Sequence, residues 1–412
     1  MKPNPDGIIV GAGIVGLCLA LELHKAGFRV KVFEAAGQIK ELGVGLSLLP
    51  HSVKYLFTHG LQEALDNNAI RTKELRFYCK QGKLIWTEPR GLDAGYKVPQ
   101  YSIHRGRLQQ ILLQKVLETL GPDSVITNRK LLNFDQHGSS VTGNFVSETG
   151  EQSNATAEFL IGADGINSAV RQQLYPDQGD PQFAGLMLWR GATYSDSFLS
   201  GRSMIMAGHN SQKIVVYPLT PPDEKGQQLI NWVAELRVPK DILRTDDWRG
   251  KGQLSEFADK FRQWDFPWLQ TNQLFHDAQD IFKFPMIDRE PVPQWSFDRV
   301  TLAGDAAHAM YPNGSNGASQ GIIDAATLAR QLQGTDDVIK ALAAYQSERL
   351  SPTAKITLDN RKAGPERVLQ MVEDQCSGEC PDEHHCVPYT DLDAVSMAYK
   401  KLAGFDKKTV NK

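Results

Sequence analysis

Three glycines near the start of the chain have types and spacing that could bind phosphate. They are Gly11, Gly13 and Gly16, with Ala12 between the first two. An apolar run precedes them and a helical pattern follows, so the segment predicts a tight turn between a strand and a helix. The first glycine permits the turn, the second lets the backbone approach a pyrophosphate, and the third lets the helix pack closely on the sheet. The free N–H groups of the helix N-terminus would then face the phosphates.

A carboxylate is expected beside this turn. A second β-branched run ends at Glu34, where an acid can accept hydrogen bonds from both hydroxyls of an adenosine ribose. Strand, turn, helix, strand and acid together favour a dinucleotide site. FAD and NAD use the same turn, so this stretch leaves open which dinucleotide binds.

In two later segments a predicted strand is followed by glycine and then, directly or after one residue, by aspartate. Asp164 stands in the turn before a predicted helix, and Asp305 follows a buried-strand run. The second aspartate would lie at the carboxyl end of a sheet, where ligands of open α/β folds bind. The loop from Pro312 to Gly317 then opens another helix, and its glycines, including Gly314, let backbone N–H groups face a planar, partly anionic ligand. His308 lies between Asp305 and Pro312 and is better explained as a core or turn-stabilising residue than as a ligand-binding one.

Other segments could approach the same ligand. Gly43 and Gly45 lie in a loop after the ribose strand, where backbone could contact a cofactor or simply form an ordinary loop. Arg105 and Arg107 stand at the start of a helix predicted over 108–120. Cations are unfavourable there, so we expect either a nearby anion such as a phosphate or a solvated side chain.

The remaining segments predict a second, mixed or antiparallel sheet. Residues 71–88 alternate about a hairpin turn, and residues 182–236 contain several alternating runs rich in Met and aromatic side chains. A sheet with one face free of helices could form the floor of a ligand cavity. Core packing explains most buried aromatics, but we select four candidates to line a pocket, with Tyr217 the best placed to orient a polar substituent: Tyr217, Trp189, Met204 and Pro312.

Composition excludes several classes of function. The 412 residues carry a formal net charge of −3, which gives no electrostatic case for a nucleic-acid partner. No apolar run approaches the length of a membrane span, and no secretory signal is visible at the N-terminus. Five widely spread cysteines favour reduced thiols and a cytoplasmic protein.

Three motifs in this order, at 11–16, 162–171 and 304–320, make the chain similar to the single-component FAD-dependent aromatic hydroxylases, the para-hydroxybenzoate and salicylate hydroxylase fold. The similarity extends to about residue 365. It implies an α/β (mixed α+β) fold in which a Rossmann-like FAD-binding domain is interleaved with a substrate domain built on the second sheet. The implied boundaries are 1–70, 99–175 and 285–365 for FAD, 71–98 and 176–284 for substrate, and 366–412 for a helical or flexible tail.

The resemblance also implies a role for each matched position. Gly11, Ala12, Gly13 and Gly16 would hold the FAD pyrophosphate and Glu34 the ribose. Gly45 and Arg105 would contact FAD, and Asp164 would support it and communicate with the nicotinamide donor. Asp305 would form a hydrogen bond with the ribityl chain of FAD, and the loop with Gly314 and Gly317 would lie beside its isoalloxazine ring.

The implied activity is hydroxylation of an aromatic or heteroaromatic acid, phenazine- or salicylate-like, with NADH or NADPH and O2 through a flavin C4a-hydroperoxide. Because the flavin does this chemistry, no catalytic residue is predicted. The alternatives are a monooxygenase of polycyclic antibiotic-like compounds and a non-catalytic FAD-binding, redox-regulated protein. The resemblance leaves the protein a monomer or a homodimer.

The C-terminal part departs from this family pattern. Cysteines and histidines cluster at Cys376, Cys380, His384, His385 and Cys386, but their spacing matches no zinc motif, so no metal is predicted. The lysine-rich stretch 400–412 is expected to fray.

Overall fold

The computed structural model describes residues 4–41, 43–239, 250–376 and 387–412. In chain order the strands are β1 Gly7–Val10, β2 Val30–Phe33, β3 Gly45–Leu48, β4 Ala69–Arg71, β5 Glu74–Tyr78, β6 Leu84–Pro89, β7 Tyr101–His104, β8 Val125–Ile126, β9 Lys130–His137, β10 Ser140–Val146, β11 Gln152–Ala157, β12 Phe159–Gly162, β13 Gln182–Asp196, β14 Ser203–His209, β15 Gln212–Pro218, β16 Gln227–Arg237, β17 Gly250–Lys251, β18 Phe282–Asp288 and β19 Val300–Leu302.

The helices range from one turn to six. They are α1 Ile14–Lys25, α2 Pro50–Thr58, α3 Gln62–Asn68, α4 Arg105–Leu120, α5 Ala169–Leu174, α6 Thr271–His276, α7 Asp305–His308, α8 Gly317–Gln333, α9 Val338–Asn360, α10 Arg367–Gln375, α11 Tyr389–Leu402 and α12 Lys407–Val410. Within the described ranges, no helix combines the length and apolar character that a bilayer crossing requires.

A five-stranded parallel sheet carries the first glycine turn. Its order is β19-β12-β1-β2-β8, and every neighbouring pair is parallel. Its central strands are runs of fully buried apolar residues such as Ile8 and Ile9, as expected where helices cover both faces. All the predicted strand-glycine motifs therefore end at the same edge of one sheet, because parallel strands have their carboxyl ends together.

The second sheet has eight strands in the order β17-β18-β13-β16-β15-β14-β5-β6. Only the β14–β5 pair is parallel, so the sheet is mixed, as predicted. Its strands β5 and β6 form a hairpin at residues 74–89, and its other six strands lie within residues 182–288. Two small three-stranded antiparallel sheets complete the mixed α/β fold, β11-β10-β9 and β3-β7-β4.

Both faces of the eight-stranded sheet are buried, but against different partners. One face packs on the aromatic segment that contains Phe257, Phe261 and Phe275. The other face, with Met204 and Tyr217, packs on α10 and α11. Because successive side chains of a strand point to opposite faces, neighbouring residues of one strand belong to different cores.

The prediction that residues 400–412 fray is wrong. They include the end of α11 and all of α12, and Phe405 and Val410 are buried. Asn411 Nδ2 donates to Gly95 O at 2.9 Å, and Tyr96 Oη donates to Phe405 O at 2.6 Å. A few apolar residues among the lysines supply enough buried surface to dock this end of the chain.

Candidate active site

The first glycine turn has the geometry of a phosphate cradle. Gly11 has φ +101°, and a Cβ there would lie 2.6 Å from Ala163 O. A Cβ on Gly16 would lie 1.9 Å from Gly11 O, so close packing requires this glycine. Gly13 differs, because a Cβ there would have no neighbour within 4 Å. The protein leaves that space open in front of the α1 N-terminus, where the helix dipole favours an anion.

Glu34 lies directly beside this turn. Its Oε2 accepts a hydrogen bond from Ala12 N at 2.7 Å, and its Oε1 accepts one from Ala36 N at 2.9 Å. Gln109 Nε2 donates to Ala12 O at 2.8 Å and fixes the turn from α4. A carboxylate has about four lone-pair sites, so Glu34 keeps acceptors for the two hydroxyls of a ribose.

Asp164 caps the short helix α5. Its Oδ2 accepts hydrogen bonds from Ala169 N at 2.7 Å and Val170 N at 3.3 Å. Burial raises the pKa of Asp164 above its usual range, and hydrogen bonds from Ser168 and the backbone offset part of this effect. Its Oδ1 is buried and accepts no hydrogen bond from the described residues. An unpaired buried oxygen is costly, so the position suits a ligand that brings a donor.

The motif around Asp305 meets the first turn through Val15 of α1. A Cβ on Gly304, whose φ is +59°, would lie 2.8 Å from Val15 Cγ2, and one on Gly321 would lie 2.4 Å from the same atom. The Asp305 carboxylate is exposed, and its Oδ1 lies 3.9 Å from the Cβ position of Gly317. Two motifs separated by almost 300 residues therefore line one continuous surface. That surface fits a ligand longer than a single phosphate group.

A buried polar network supports the Asp305 motif from behind. Asp324 Oδ2 accepts a hydrogen bond from Gly304 N at 2.9 Å and lies 2.5 Å from His308 Nε2. Asp324 Oδ1 accepts from Arg349 Nε at 2.7 Å. His308 is thus a buried structural residue, as the sequence indicated.

The loop before α8 is held by Tyr399, which the sequence did not single out. Asn316 Nδ2 donates to Tyr399 Oη at 3.1 Å, and Asn313 O lies 3.1 Å from the same oxygen. Gly314 has φ +73°, and a Cβ there would lie 2.4 Å from Tyr399 Oη. The helical spacing of buried Leu392, Ser396 and Tyr399 is the signal that could have predicted a docked helix, though not its target.

Gly45, in the small sheet β3-β7-β4, contacts the eight-stranded sheet. Its N–H donates to Asn231 Oδ1 at 2.7 Å, and its carbonyl accepts from Arg190 Nη2 at 2.8 Å. A Cβ on Gly45 would lie 2.7 Å from Tyr217 Cε2. This contact between the two sheets explains the glycine without any cofactor, so its role toward FAD stays a prediction.

Arg105 begins α4 and is exposed, and its Cβ lies 3.6 Å from the Cβ position of Gly43. Its contact with FAD stays a prediction. The anion expected beside Arg107 is a carboxylate, because Arg107 Nε lies 3.2 Å from Glu41 Oε1.

A cavity lies between the second sheet, the 314–315 loop and α11. Its cavity volume is about 20 Å³, and the space between its lining atoms, counted together with the solvent it opens to, is about 430 Å³. Its lining residues are Leu49, Leu75, Phe77, Arg90, Gln100, Met204, Met206, Gly314, Ser315, Pro365, Glu366, Ser396, Tyr399, Lys400 and Phe405. Of the four predicted pocket residues, only Met204 lines this cavity.

The other three predicted pocket residues are placed differently. Tyr217 shares a buried cluster with Met204 but contacts Gly45, and Pro312 lies two residues before the lining residue Gly314. Trp189 lies on the opposite face of the sheet from Met204, so this cavity does not support its predicted pocket role, which stays a prediction. Its Nε1 donates to Glu256 Oε2 at 2.8 Å, and its ring stacks on Phe257 at 5.4 Å between centroids.

Most of the predicted Cys and His cluster lies outside the described residues, namely Cys380, His384, His385 and Cys386. In the part of the chain that the structure does describe, no group of three or more His, Cys, Asp or Glu side chains could hold a metal ion.

Comparison with known proteins defines the class. Residues 5–360 match the FAD binding domain family. Phenazine 1,6-dicarboxylic acid hydroxylase PhzS from Lysobacter antibioticus is 43% identical over 362 residues, which are 86% of this chain and 89% of that protein. The 3-hydroxybenzoate 6-hydroxylase of Polaromonas naphthalenivorans is 31% identical, over 90% of this chain and 91% of that one. The structure of HpxO from Klebsiella pneumoniae with FAD and uric acid shares the fold, with TM-score 0.73, 20% identity and coverage of 96% and 92%.

The chain therefore belongs to the FAD binding domain family. Within it the protein is an FAD-dependent aromatic hydroxylase, a monooxygenase that uses a small aromatic substrate, O2 and reduced nicotinamide. The residues of the cradle fit this cofactor, because Gly13 leaves room for a pyrophosphate and the Gly304 motif continues the surface.

Proposed function

We propose that this enzyme hydroxylates a fused-ring heteroaromatic carboxylic acid of the phenazine class. The observation that carries the proposal is the set of residues lining the cavity beside the 314–315 loop, which has to widen to admit a fused-ring acid. Its lining includes the apolar side chains of Phe77, Met204 and Met206. Arg90 and Lys400 supply positive charge. The 43% identity to a phenazine 1,6-dicarboxylic acid hydroxylase supports the same substrate class.

In this proposal the chain binds and positions, and the cofactor supplies the redox chemistry. When bound, FAD would supply hydride acceptance from reduced nicotinamide and the activation of O2. Gly11, Ala12, Gly13 and Gly16 hold its pyrophosphate through backbone N–H groups, and Glu34 holds the ribose. Asp164, Asp305 and Arg105 contact the rest of the cofactor.

The α8 N-terminus at Gly317 would favour negative charge on a ring held beside it. The apolar side chains of the cavity would hold the substrate ring against the loop. They would also exclude water, which would otherwise release the activated oxygen as hydrogen peroxide before it reaches the ring. No acid or base of the chain is needed for the transfer itself.

Substrate-stimulated oxidation of NADH and NADPH tests the proposal. Protein reconstituted with FAD is mixed with phenazine-1,6-dicarboxylate, phenazine-1-carboxylate, salicylate and 3-hydroxybenzoate, and the product from labelled O2 is analysed by mass spectrometry. We expect one phenazine acid to stimulate oxidation and to gain one labelled oxygen atom. Stimulation by the monocyclic acids alone would contradict the phenazine assignment.

The same assay separates the other interpretations. A polycyclic antibiotic-like substrate would be indicated if neutral polycycles stimulated turnover and the acids did not. A non-catalytic FAD-binding protein would bind FAD but give no labelled product with any compound. The choice between NADH and NADPH follows from the two donors measured side by side.

We also propose that the enzyme is located in the cytoplasm and that its oligomeric state is a monomer or a homodimer. Light scattering during gel filtration measures the oligomeric state of the FAD-loaded protein. Fractionation of the producing cells measures its location.

A further inference from the structure

Arg90 and Lys400 of the cavity lining form a charged cluster with Glu88, from two segments distant in the sequence. Arg90 directly follows β6, and its Nη2 lies 2.6 Å from Glu88 Oε2. Lys400 of α11 forms an ion pair with Glu88 Oε1, and Ser396 Oγ donates to the same oxygen at 2.5 Å. The three charged side chains are only 4–12% exposed. Arg90 and Lys400 both line the cavity.

This cluster has one more positive charge than negative charge. Glu88 is the single carboxylate that pairs with both cations, and Asp393, which also influences Lys400, is exposed on α11. Burial lowers the pKa of Lys400, and Glu88 offsets part of this effect. Among the described residues Arg90 Nε is buried and has no hydrogen-bond partner. A buried cation in excess is costly, and the carboxylate of a ligand would relieve that cost.

The other charged group of the cavity wall has the opposite sign. Glu366 forms an ion pair with Lys213 and accepts a hydrogen bond from Gly314 N at 3.3 Å. Lys213 is itself shared with Glu235, whose carboxyl has a pKa raised first of all by burial. A carboxylate in this cavity is therefore favoured near Arg90 and disfavoured near Glu366, which gives an acid one preferred orientation.

We infer that Arg90 and Lys400 together bind the carboxylate of the aromatic acid and direct its ring toward the loop at Gly314. The pair selects acids over neutral analogues of the same shape. Arginine suits this task because its planar guanidinium presents several donors to a carboxylate. The inference rests on the proposed function, since it assigns residues to the acid group of that substrate.

Arg90→Met tests the inference without leaving a charge unpaired, because Lys400 and Glu88 remain as a neutral pair. We expect the KM of the phenazine acid to rise about tenfold or more, the effect of one lost hydrogen bond to a charged group. The KM of the corresponding carboxamide should change little. Binding is measured independently from the change in flavin absorption on titration with acid or amide. Lys400→Met, which leaves the Arg90–Glu88 pair, should show the same selective loss.

Glu88→Gln distinguishes a binding role from a structural one. It increases the positive charge of the cluster, so the ratio of acid to amide affinity should rise. If the cluster only docks α11, all three variants should weaken acid and amide equally, and that result would overturn the inference. Arg71→Met is the control, because Arg71 pairs with Asp66 outside the cavity. Failure of the proposed function has a different signature, namely no stimulation of the wild-type enzyme by any phenazine acid.

Discussion

Gly13 and Gly16 lie in the same turn but are glycines for different physical reasons. At Gly16 a side chain would collide with the backbone at Gly11, whereas at Gly13 it would enter empty space. The first is required by the packing of α1 on its sheet. The second leaves room for something that the chain itself does not contain.

Alanine substitutions separate the two reasons. Gly13→Ala should cost the apoprotein only about 0.5–1 kcal/mol, because alanine is a poorer helix N-cap than glycine but its Cβ would meet no neighbouring atom. It should weaken FAD binding by roughly 1–3 kcal/mol, because backbone hydrogen bonds to a charged group are lost. Apoprotein stability is measured by urea unfolding and FAD affinity by the quenching of flavin fluorescence.

Gly16→Ala is the matched substitution and should behave in the opposite way. Its Cβ overpacks the turn, so the apoprotein should lose about 1–3 kcal/mol or more of unfolding free energy. Equal effects of the two substitutions on apoprotein stability would contradict the distinction.

At the scale of elements, α11 serves as a wall of the cavity and as a support for the loop before α8. Tyr399 provides the support, since its hydroxyl accepts from Asn316 and can donate to Asn313 O or to Asn360 Oδ1, 2.8 Å away. The adjacent residue Lys400 lines the cavity. The position of one helix thus couples the loop to the substrate site.

Tyr399→Phe should loosen this loop without removing its apolar contacts. We expect a loss of about 1–3 kcal/mol in unfolding free energy, because buried polar groups lose their partner. We also expect a larger share of consumed NAD(P)H to appear as hydrogen peroxide, since a looser loop admits water. Peroxide and product are quantified together. Tyr194→Phe is the control because Tyr194 is 61% exposed, and an unchanged peroxide share in Tyr399→Phe would contradict this role.

At the scale of the whole molecule, stability depends on buried charge at the centre of the FAD-binding part. Burial raises the pKa of Asp324, but His308 and Arg349 outweigh it and hold the pKa below its usual range. A carboxyl whose pKa is lowered by folding stabilises the protein above its unfolded-state pKa of about 4. This contribution is lost as the pH falls through the lowered folded-state pKa.

Asp324→Asn should therefore cost about 3–5 kcal/mol of unfolding free energy at pH 7, because it leaves Arg349 buried without its carboxylate. The difference from wild type should shrink as the pH falls below about 4, where the unfolded wild-type chain takes up the proton. Urea unfolding across this pH range measures both. A difference that does not depend on pH would show that the charge is unimportant.

The cofactor motifs could be predicted from the sequence because each is local. The glycines at 11–16 and the aspartates Asp164 and Asp305 signal their turns within a few residues. The cavity could not be predicted in the same way. Its charged end joins Glu88 and Arg90 to Lys400, and no local pattern links residues some 300 positions apart.

Trp189 shows a second limit of sequence-based prediction. Alternation indicates that Trp189 and Arg190 point to opposite faces of their strand. Usually the polar face is the exposed one, but here residues 186–189 are all buried. Both faces of the sheet are covered, so the pattern does not tell which face holds the cavity.

The order of the parallel sheet has a consequence for biogenesis. β1 pairs with β12, and β12 pairs with β19, so Leu160 must find Val300 across the six strands of the eight-stranded sheet that lie between them in the sequence, β13 to β18. Domains fold during synthesis as their parts leave the ribosome, and pairings this far apart in sequence form slowly. The surface formed by the first glycine turn and the Asp305 motif also needs α8, so it is incomplete until more than three quarters of the chain has been made. A nascent chain therefore cannot capture FAD early, and cofactor uptake is a late event that reports completion of the fold.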